Sequence, residues 1–517
     1  MRVISLSLAA LFACATAPFA TASGKAQHVV VIVWDGMRPD FITADGTPTL
    51  YKLAHEGVWF DNHHPVYMSA TEVNGTAINT GAYPAHDGII GNKEFRPNID
   101  PLKPVHTEET DTVRKGDAAM HGHYVRVPTI EEYLQKKGLR TVVAGAKPVA
   151  ILPDRAERPA GAANVDLFAG ETLPPEVLDT ITALHGPFPG TNDDKMTRND
   201  WTTAALIDPL WKNGVPAFSL LWMNQPDFAQ HQSGPGSELA LAAIKNADDN
   251  LARVLQALEA KGVRDKTDIM LVSDHGFSTV LSIVDLADSL KHAGFKASRQ
   301  FKGTPASGDI MVCGNGGSVF LYITGHEKKI VGQLVKFLQA WPYSGVIFTK
   351  QAMEGTFTLA QGHIDSPDAP DIYMSMRWNA GKNDVGTPGM LICDSTPYGP
   401  GQGMHGSLSV YDMHNTFIAN GPDFRAGIVD HLPTGNVDVA PTALWILGVK
   451  QPKTMDGRVV SEAMNIPDAK IKSFEPAHLE ATRELEKVVW HQYLNSTEVN
   501  GVTYFDEGNG YQTEKTK

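Results

Sequence analysis

Three apolar, β-branched runs along this chain each end close to an aspartate: HVVVIVW (28–34) before Asp35, PAFSLLWM (216–223) shortly before Asp227, and DIMLVS (268–273) before Asp274. Unbroken apolar runs suit strands buried on both faces, the condition of a parallel sheet flanked by helices. A carboxylate just past the carboxyl end of such a strand stands on the edge where open α/β sheets bind ligands. The recurrence predicts an α/β fold with a doubly wound, mostly parallel central sheet, helices on both faces and a polar site on that edge.

The intervening segments fit the same plan. Residues 48–57 (PTLYKLAHEG) suit a short helix stopped by Gly57, and 58–61 start another extended piece. Thr129 to Lys137 reads as a helix capped by Thr129, with a strand from Arg140 to Gly145. Leu239, Ala243, Ala247, Leu251 and Leu255 recur at helical spacing within 236–261. Residues 93–123 show little periodicity and are expected to run over the surface near the active edge. A longer detour between Gly276 and Tyr398 has strand-like 318–324 and 372–376 and helix-like 329–341, enough for a small α+β subdomain inserted at about 285–397. Strand and helix return at 415–420 and 439–448. The expected core thus spans 23–472, followed by a C-terminal helix (476–494) and a polar tail within 473–517.

The amino terminus reads as an export leader: Arg2, an apolar stretch from Val3 to Phe12 too short to span a bilayer, then Ala20-Thr21-Ala22 as a small-residue cleavage site, with the mature chain starting near Ser23. That places the protein in the periplasm or outside the cell. Leu11 to Cys14 loosely matches a lipoprotein cleavage site, so anchoring through Cys14 is the alternative. Loss of Cys14 leaves Cys313 and Cys393, either as one disulfide or as two buried thiols. No later segment is apolar and long enough to cross a membrane. The net charge of −14 and the lack of a basic block argue against duplex nucleic acid as a partner, so an anionic substrate needs local positive charge.

Metal ions would supply that charge. Asp35, Asp227, His231, Asp274, His275 and His405 are side chains that suit divalent cations, and Thr71 opens TEVNGTAINTG, where Ala77 and Ile78 mark a helix ending at Gly81. A hydroxyl at a helix amino terminus faces free N–H groups and the positive end of the dipole, which favours an alkoxide and an incoming phosphate. An isolated threonine there is more simply an N-cap. A neutral threonine is also a feeble nucleophile, and a coordinated cation is the usual way to make its alkoxide accessible. His414 and the pair His63-His64 are competing ligands. His405 is preferred because its Gly-rich turn (GQGMHG) can bring a side chain to the edge, whereas His414 leads into a strand.

Asp35, TEVNGTAINTGAYPAHDGIIGN, PDFAQH with Gly234-Pro235, SDHG and MHG around His405 together resemble the motif series of the alkaline phosphatase superfamily, and within it the type I phosphodiesterase and nucleotide pyrophosphatase branch. The resemblance runs from about His28 to Gly448. It implies an alkaline-phosphatase-like fold and two zinc ions, other divalent metals being alternatives. One zinc would be held by Asp35, Thr71, Asp274 and His275, the other by Asp227, His231 and His405. It further implies a phosphothreonine intermediate on Thr71 and a hydrogen bond from Asn92 to a phosphoryl oxygen. Small phosphate esters or nucleotides are the implied substrates.

Two departures bear on substrate. Family members that prefer diesters usually follow the nucleophile with an aromatic residue, where Glu72 stands here. Lys147, in GAKPVAILP, matches a lysine that monoesterase members present to the phosphate dianion, but Val149 stands where they carry an arginine. The expectation is phosphodiester or pyrophosphate hydrolysis with Lys147 contacting substrate. Monoester or phosphonate hydrolysis is the alternative, and an inactive metal-binding protein a remote one. The sulfatase branch is set aside, because the run at Thr71 lacks a Cys/Ser-x-Pro-x-Arg motif.

Overall fold

The computed structural model describes residues 24–190, 195–466, 469, 471 and 473–515. The leader, its cleavage site and Cys14 lie outside the described residues, as does the boundary placed at 472. The central sheet has nine strands: β1 (His28–Trp34), β2 (Val58–Phe60), β3 (Thr141–Gly145), β4 (Val165–Phe168), β5 (Glu171–Leu173), β6 (Phe218–Met223), β7 (Thr267–Val272), β8 (Phe417–Asn420) and β9 (Ile428–Asp430). Their order is β9-β2-β8-β7-β1-β6-β3-β4-β5. β1 lies between β7 and β6, parallel to both, and β3 is parallel to β6 and β4. β8 runs antiparallel to β7 and β2, so the sheet is mostly parallel.

The apolar run of β1 is explained by what lies on each side. Val29, Val31 and Val33 pack with Ile130, Leu134, Val439 and Ala443 on one face. Val30, Ile32 and Trp34 pack with Leu50, Leu53, Ile244 and Leu251 on the other. With both pleat faces covered, neither register tolerates a polar residue. The helices involved are α1 (Pro48–Glu56), α3 (Ile130–Lys136), α5 (Glu238–Ala260) and α6 (Val439–Ile446). α2 (Thr71–Thr80) and α4 (Asp227–Ser233) carry site residues. Thr129 caps α3 in a capping box with Glu132.

Three expectations are corrected or refined. The surface excursion at 93–123 contains a helix, Thr110–Ala119, which buries only Thr112, Val113 and Gly116, too narrow a stripe to show as periodicity. The detour between β7 and β8 is larger than a small α+β unit. It forms a six-stranded sheet around Ser318–Ile323 and Ile372–Met376 with helix Lys328–Ala340, and a four-stranded sheet that pairs Ser278–Val284 with Pro388–Asp394 and Gly403–Met404. The C-terminal helix expected at 476–494 is instead a three-stranded antiparallel meander: β10 (Phe474–Glu484), β11 (Val488–Val499) and β12 (Val502–Glu514).

The meander wins because its side chains find partners only as strands. Trp490, Gln492 and Leu494 are buried in alternation. Trp490 Nε1 donates to Gly355 O at 2.9 Å, and the Gln492 amide brackets the backbone of Ile347. Those contacts outweigh the helix propensity of the Ala, Leu and Glu residues in this stretch. Cys313 and Cys393 are buried free thiols. Among the described residues no helix is long and apolar enough to cross a membrane.

Candidate active site

Asp35 follows β1, Asp227 opens the helix after β6, and Asp274 lies two residues past β7. These strands are neighbours in the sheet, so the three carboxylates converge on one stretch of its carboxyl edge. The turn after Asp35 is held tightly: Gly36 N donates to Asp274 Oδ1 at 2.9 Å and Asp227 N to Asp35 O at 3.0 Å. Gly36 has φ +73°, and a Cβ there would sit 2.9 Å from the Phe277 ring and 3.3 Å from Asp227 Cα, so only glycine lets the two loops approach.

Thr71 is the first residue of α2, a helix buried along its whole length and ended by Gly81 at φ +64°. Its Oγ1 stands 3.2 Å from His275 Nε2. Asn92 is brought to the same helix end, where its Oδ1 accepts from Glu72 N at 3.3 Å. Thr71 and Asn92 therefore border one space, together with the free N–H groups of the first turn.

The three histidines are oriented alike. His231 Nδ1 meets Gly403 O, His275 Nδ1 meets Gly276 O, and His405 Nδ1 meets Ser69 O, each at 2.9 Å. A carbonyl accepts only from N–H, which fixes the proton on Nδ1 and turns each Nε2 lone pair inward. Burial lowers His275, and burial with neighbouring His275 and His231 lowers His405 well below the usual range, so both rings are neutral. The inward nitrogens face carboxylates: His231 Nε2 is 3.2 Å and His405 Nε2 3.6 Å from Asp227 Oδ1, and His275 Nε2 is 3.3 Å from Asp274 Oδ2 and 3.7 Å from Asp35 Oδ1.

Asp35 Oδ1, Asp227 Oδ1 and Asp274 Oδ2 are buried and have no hydrogen-bond partner. Lone pairs of neutral imidazoles aimed at unpartnered carboxylate oxygens repel unless a cation lies between them, and His/Asp donors are the set that zinc takes. The residues therefore fit divalent metal. Candidate ligand atoms fall into two sets, Asp35/Asp274/His275 and Asp227/His275/His405, with atoms of each set within 4.8 Å of one another. His275 Nε2 lies close to both sets, and the His275 and His405 rings stack at 3.6 Å. Burial first, then the nearby Asp274, pushes Asp35 well above the carboxylate range, and burial lifts Asp274 to about 7. Burial opposes ionisation of Asp227 as well, but the Lys147 ammonium outweighs it and holds that carboxyl low.

Lys147 Nζ lies 2.9 Å from both Asp35 Oδ2 and Asp227 Oδ2. It thus grips the outer oxygen of each carboxylate and leaves the inner ones free. Sequence reasoning did not find Trp222, whose Nε1 donates to Asp35 Oδ2 at 2.9 Å, or Tyr398, stacked 4.3 Å from His231. Trp222 was hidden as one more apolar residue of β6, and Tyr398 lies in the inserted detour. Nor did it find Glu108, whose carboxyl hydrogen-bonds that of Glu72 beside Lys147. Burial and mutual repulsion raise Glu72 well above its ordinary range. His63 is outside the ligand sets: it contacts Asn436, whose Nδ2 donates to Asp274 O at 2.8 Å.

Residues 29–389 match the sequence profile of a family described as type I phosphodiesterase / nucleotide pyrophosphatase. Similar curated proteins include a bis(5'-adenosyl)-triphosphatase, enpp4, of Mus musculus, 21% identical over 50% of this chain and 49% of its own length. Another is ectonucleotide pyrophosphatase/phosphodiesterase family member 1 of Rattus norvegicus, 24% identical over 51% of this chain and 26% of its own length. The chain thus spans about half or less of the length of these relatives. Among solved structures, human ectonucleotide pyrophosphatase/phosphodiesterase 5 superposes with a TM-score of 0.57 at 18% identity, covering 85% of this chain and 100% of the other. An inactive form of the murine protein in complex with AMP gives 0.58 at 17% identity, with the same coverage. At these identities the structural likeness speaks for the fold.

Proposed function

The chain belongs to the type I phosphodiesterase / nucleotide pyrophosphatase family, and from that premise we propose that it is an exported hydrolase of phosphodiester or nucleotide pyrophosphate bonds, with Thr71 as nucleophile and two zinc ions as cofactors. The observation that carries the proposal is the set of inward Nε2 lone pairs opposite three unpartnered carboxylate oxygens, with the Thr71 hydroxyl at their border. Asp35, Asp274, His275 and Thr71 would hold one ion, and Asp227, His231 and His405 the other. When bound, the pair supplies an accessible alkoxide and charge stabilisation for an in-line displacement.

The chain's own residues do the rest. Thr71 Oγ1, its proton given up to solvent, attacks phosphorus; the bond from phosphorus to the leaving oxygen breaks, that oxygen takes a proton from water, and phosphothreonine forms. Water then hydrolyses it to phosphate or its monoester and restores the hydroxyl. Asn92 and the N–H groups of the first turn of α2 bind the non-bridging oxygens as they gain charge. Carbonyl contacts at Gly276, Gly403 and Ser69 keep the imidazoles from rotating. Lys147 keeps the outer oxygens of Asp35 and Asp227 engaged, so the inner ones hold position.

Diesters and pyrophosphates suit this site better than monoesters. A monoester dianion brings an extra charge, and the Lys147 ammonium that would meet it is already shared between two carboxylates. Glu72 and Glu108, the buried pair beside that lysine, are carboxyls and offer a dianion no positive charge. A nucleotide substrate agrees with the AMP complex of the murine neighbour. Export, to the periplasm or the medium, is supported by the leader-like run from Val3 to Phe12. The test is hydrolysis of a chromogenic phosphodiester by the wild type, with chelator and with Thr71→Ala. Bound metal without turnover in the wild type would favour a binding protein.

A further inference from the structure

Away from the catalytic edge, His64, His414 and Asp506 meet, with candidate ligand atoms within 4.8 Å of one another. His64 precedes the nucleophile helix, His414 follows the helix Val410–Met413, and Asp506 lies in β12. His414 and Asp506 are beyond the residues matched by the family profile. The His64 and His414 rings are 4.6 Å apart.

The environment of His64 is short of positive charge. Its Nδ1 is 3.1 Å from Met413 O, and its Nε2 is 2.8 Å from Asn62 Oδ1 and 3.6 Å from Asp506 Oδ1. A neutral imidazole has one N–H, so whichever nitrogen carries it, the other turns a lone pair on an oxygen. The imidazolium would satisfy both sides, but His64 is fully buried, where a charged ring loses its hydration. Turning the Asn62 amide over would give up its contact with His431 O, 3.4 Å from the present amide nitrogen, and set oxygen against oxygen there. A cation beside Nε2 resolves the conflict: Nδ1–H donates to Met413 O, and the lone pair and both oxygens face positive charge.

We propose that His64, His414 and Asp506, with the Asn62 amide oxygen as fourth donor, form a separate structural site for a divalent cation of the zinc type. Two imidazoles with one carboxylate and an amide oxygen suit a borderline ion rather than calcium or magnesium, which prefer all-oxygen shells. The ion would fasten the C-terminal meander to the segment leading into the nucleophile helix, joining stretches more than 400 residues apart in sequence.

The test counts metal on the full-length protein. After zinc loading and gel filtration, elemental analysis of Asp506→Asn and of His414→Gln should each show one equivalent less zinc than the wild type, with diester turnover retained. Both should also lose part of the rise in melting temperature that zinc gives the wild type. Because the readout is a difference from wild type, it stands whether or not the catalytic edge binds two ions or turns over substrate. Equal zinc content in wild type and both variants overturns the proposal. Should a variant fail to fold, zinc-edge anomalous scattering from wild-type crystals decides: a peak among the three side chains supports the site, and its absence overturns it.

Discussion

Val149 Cγ2 lies 2.9 Å from the point a Cβ on Gly75 would occupy, so the loop after β3 and helix α2 interlock with no room for either to grow. Val149 is fully buried, which explains why an arginine is not accommodated at that position. Val149→Arg should destabilise the fold by about 3 kcal/mol or more, from overpacking plus an unpaired buried charge, and should give no monoesterase activity. Denaturant titration and rates on 4-nitrophenyl phosphate check this. A stable variant with enhanced monoester turnover would contradict the packing argument.

Lys147 grips two carboxylates rather than standing free for substrate. Lys147→Met should therefore reduce kcat/KM on a diester and a monoester by a similar factor, about 10–100-fold, the usual effect of losing a group that orients metal ligands. A loss confined to the monoester would instead assign the lysine to the phosphate dianion.

Thr71→Ala removes the attacking oxygen while leaving the carboxylates and imidazoles in place. Turnover should fall by about a thousandfold or more, and bound metal should drop by far less than one equivalent per site. Elemental analysis beside steady-state rates separates the two effects. Unchanged turnover would transfer the nucleophile's role to another group.

Burial lowers His63 to about 3, against an unfolded value near 6.5. Between those values the unfolded chain binds a proton that the folded chain does not. The stability from this group is complete above about 6.5 and declines by about 1.4 kcal/mol per pH unit as pH falls toward 3. With metal chelated in both proteins, the stability of His63→Gln should fall less steeply over that window than that of the wild type. Parallel slopes in urea unfolding would show that His63 titrates normally.

The carboxylate edge was legible in the sequence because Asp35, Asp227 and Asp274 each follow an unbroken apolar run, and such runs suit strands buried on both faces. Helix α3 announced itself through the Thr129 cap. The placement of His405 drew on motif resemblance as well as on its Gly-rich turn. Trp222 and Lys147 were harder to read. The sequence marks the indole as core and the ammonium as a charge, but neither shows that both meet Asp35, since the convergence is set by the order β1-β6-β3. The C-terminal meander was misread because Ala, Leu and Glu signal helix locally, whereas Gly355 O and the backbone of Ile347, which decide the matter, are more than a hundred residues away.

The carboxylates of Asp35, Asp227 and Asp274 ride on three adjacent strands, and adjacent strands keep a repeat of about 4.8 Å through their backbone ladder whatever side chains they carry. The sheet thus works as a gauge for the reactive centre. Insertions such as the one between β7 and β8 can be enlarged or reshaped by mutation while the interval between the acids stays anchored in the main chain.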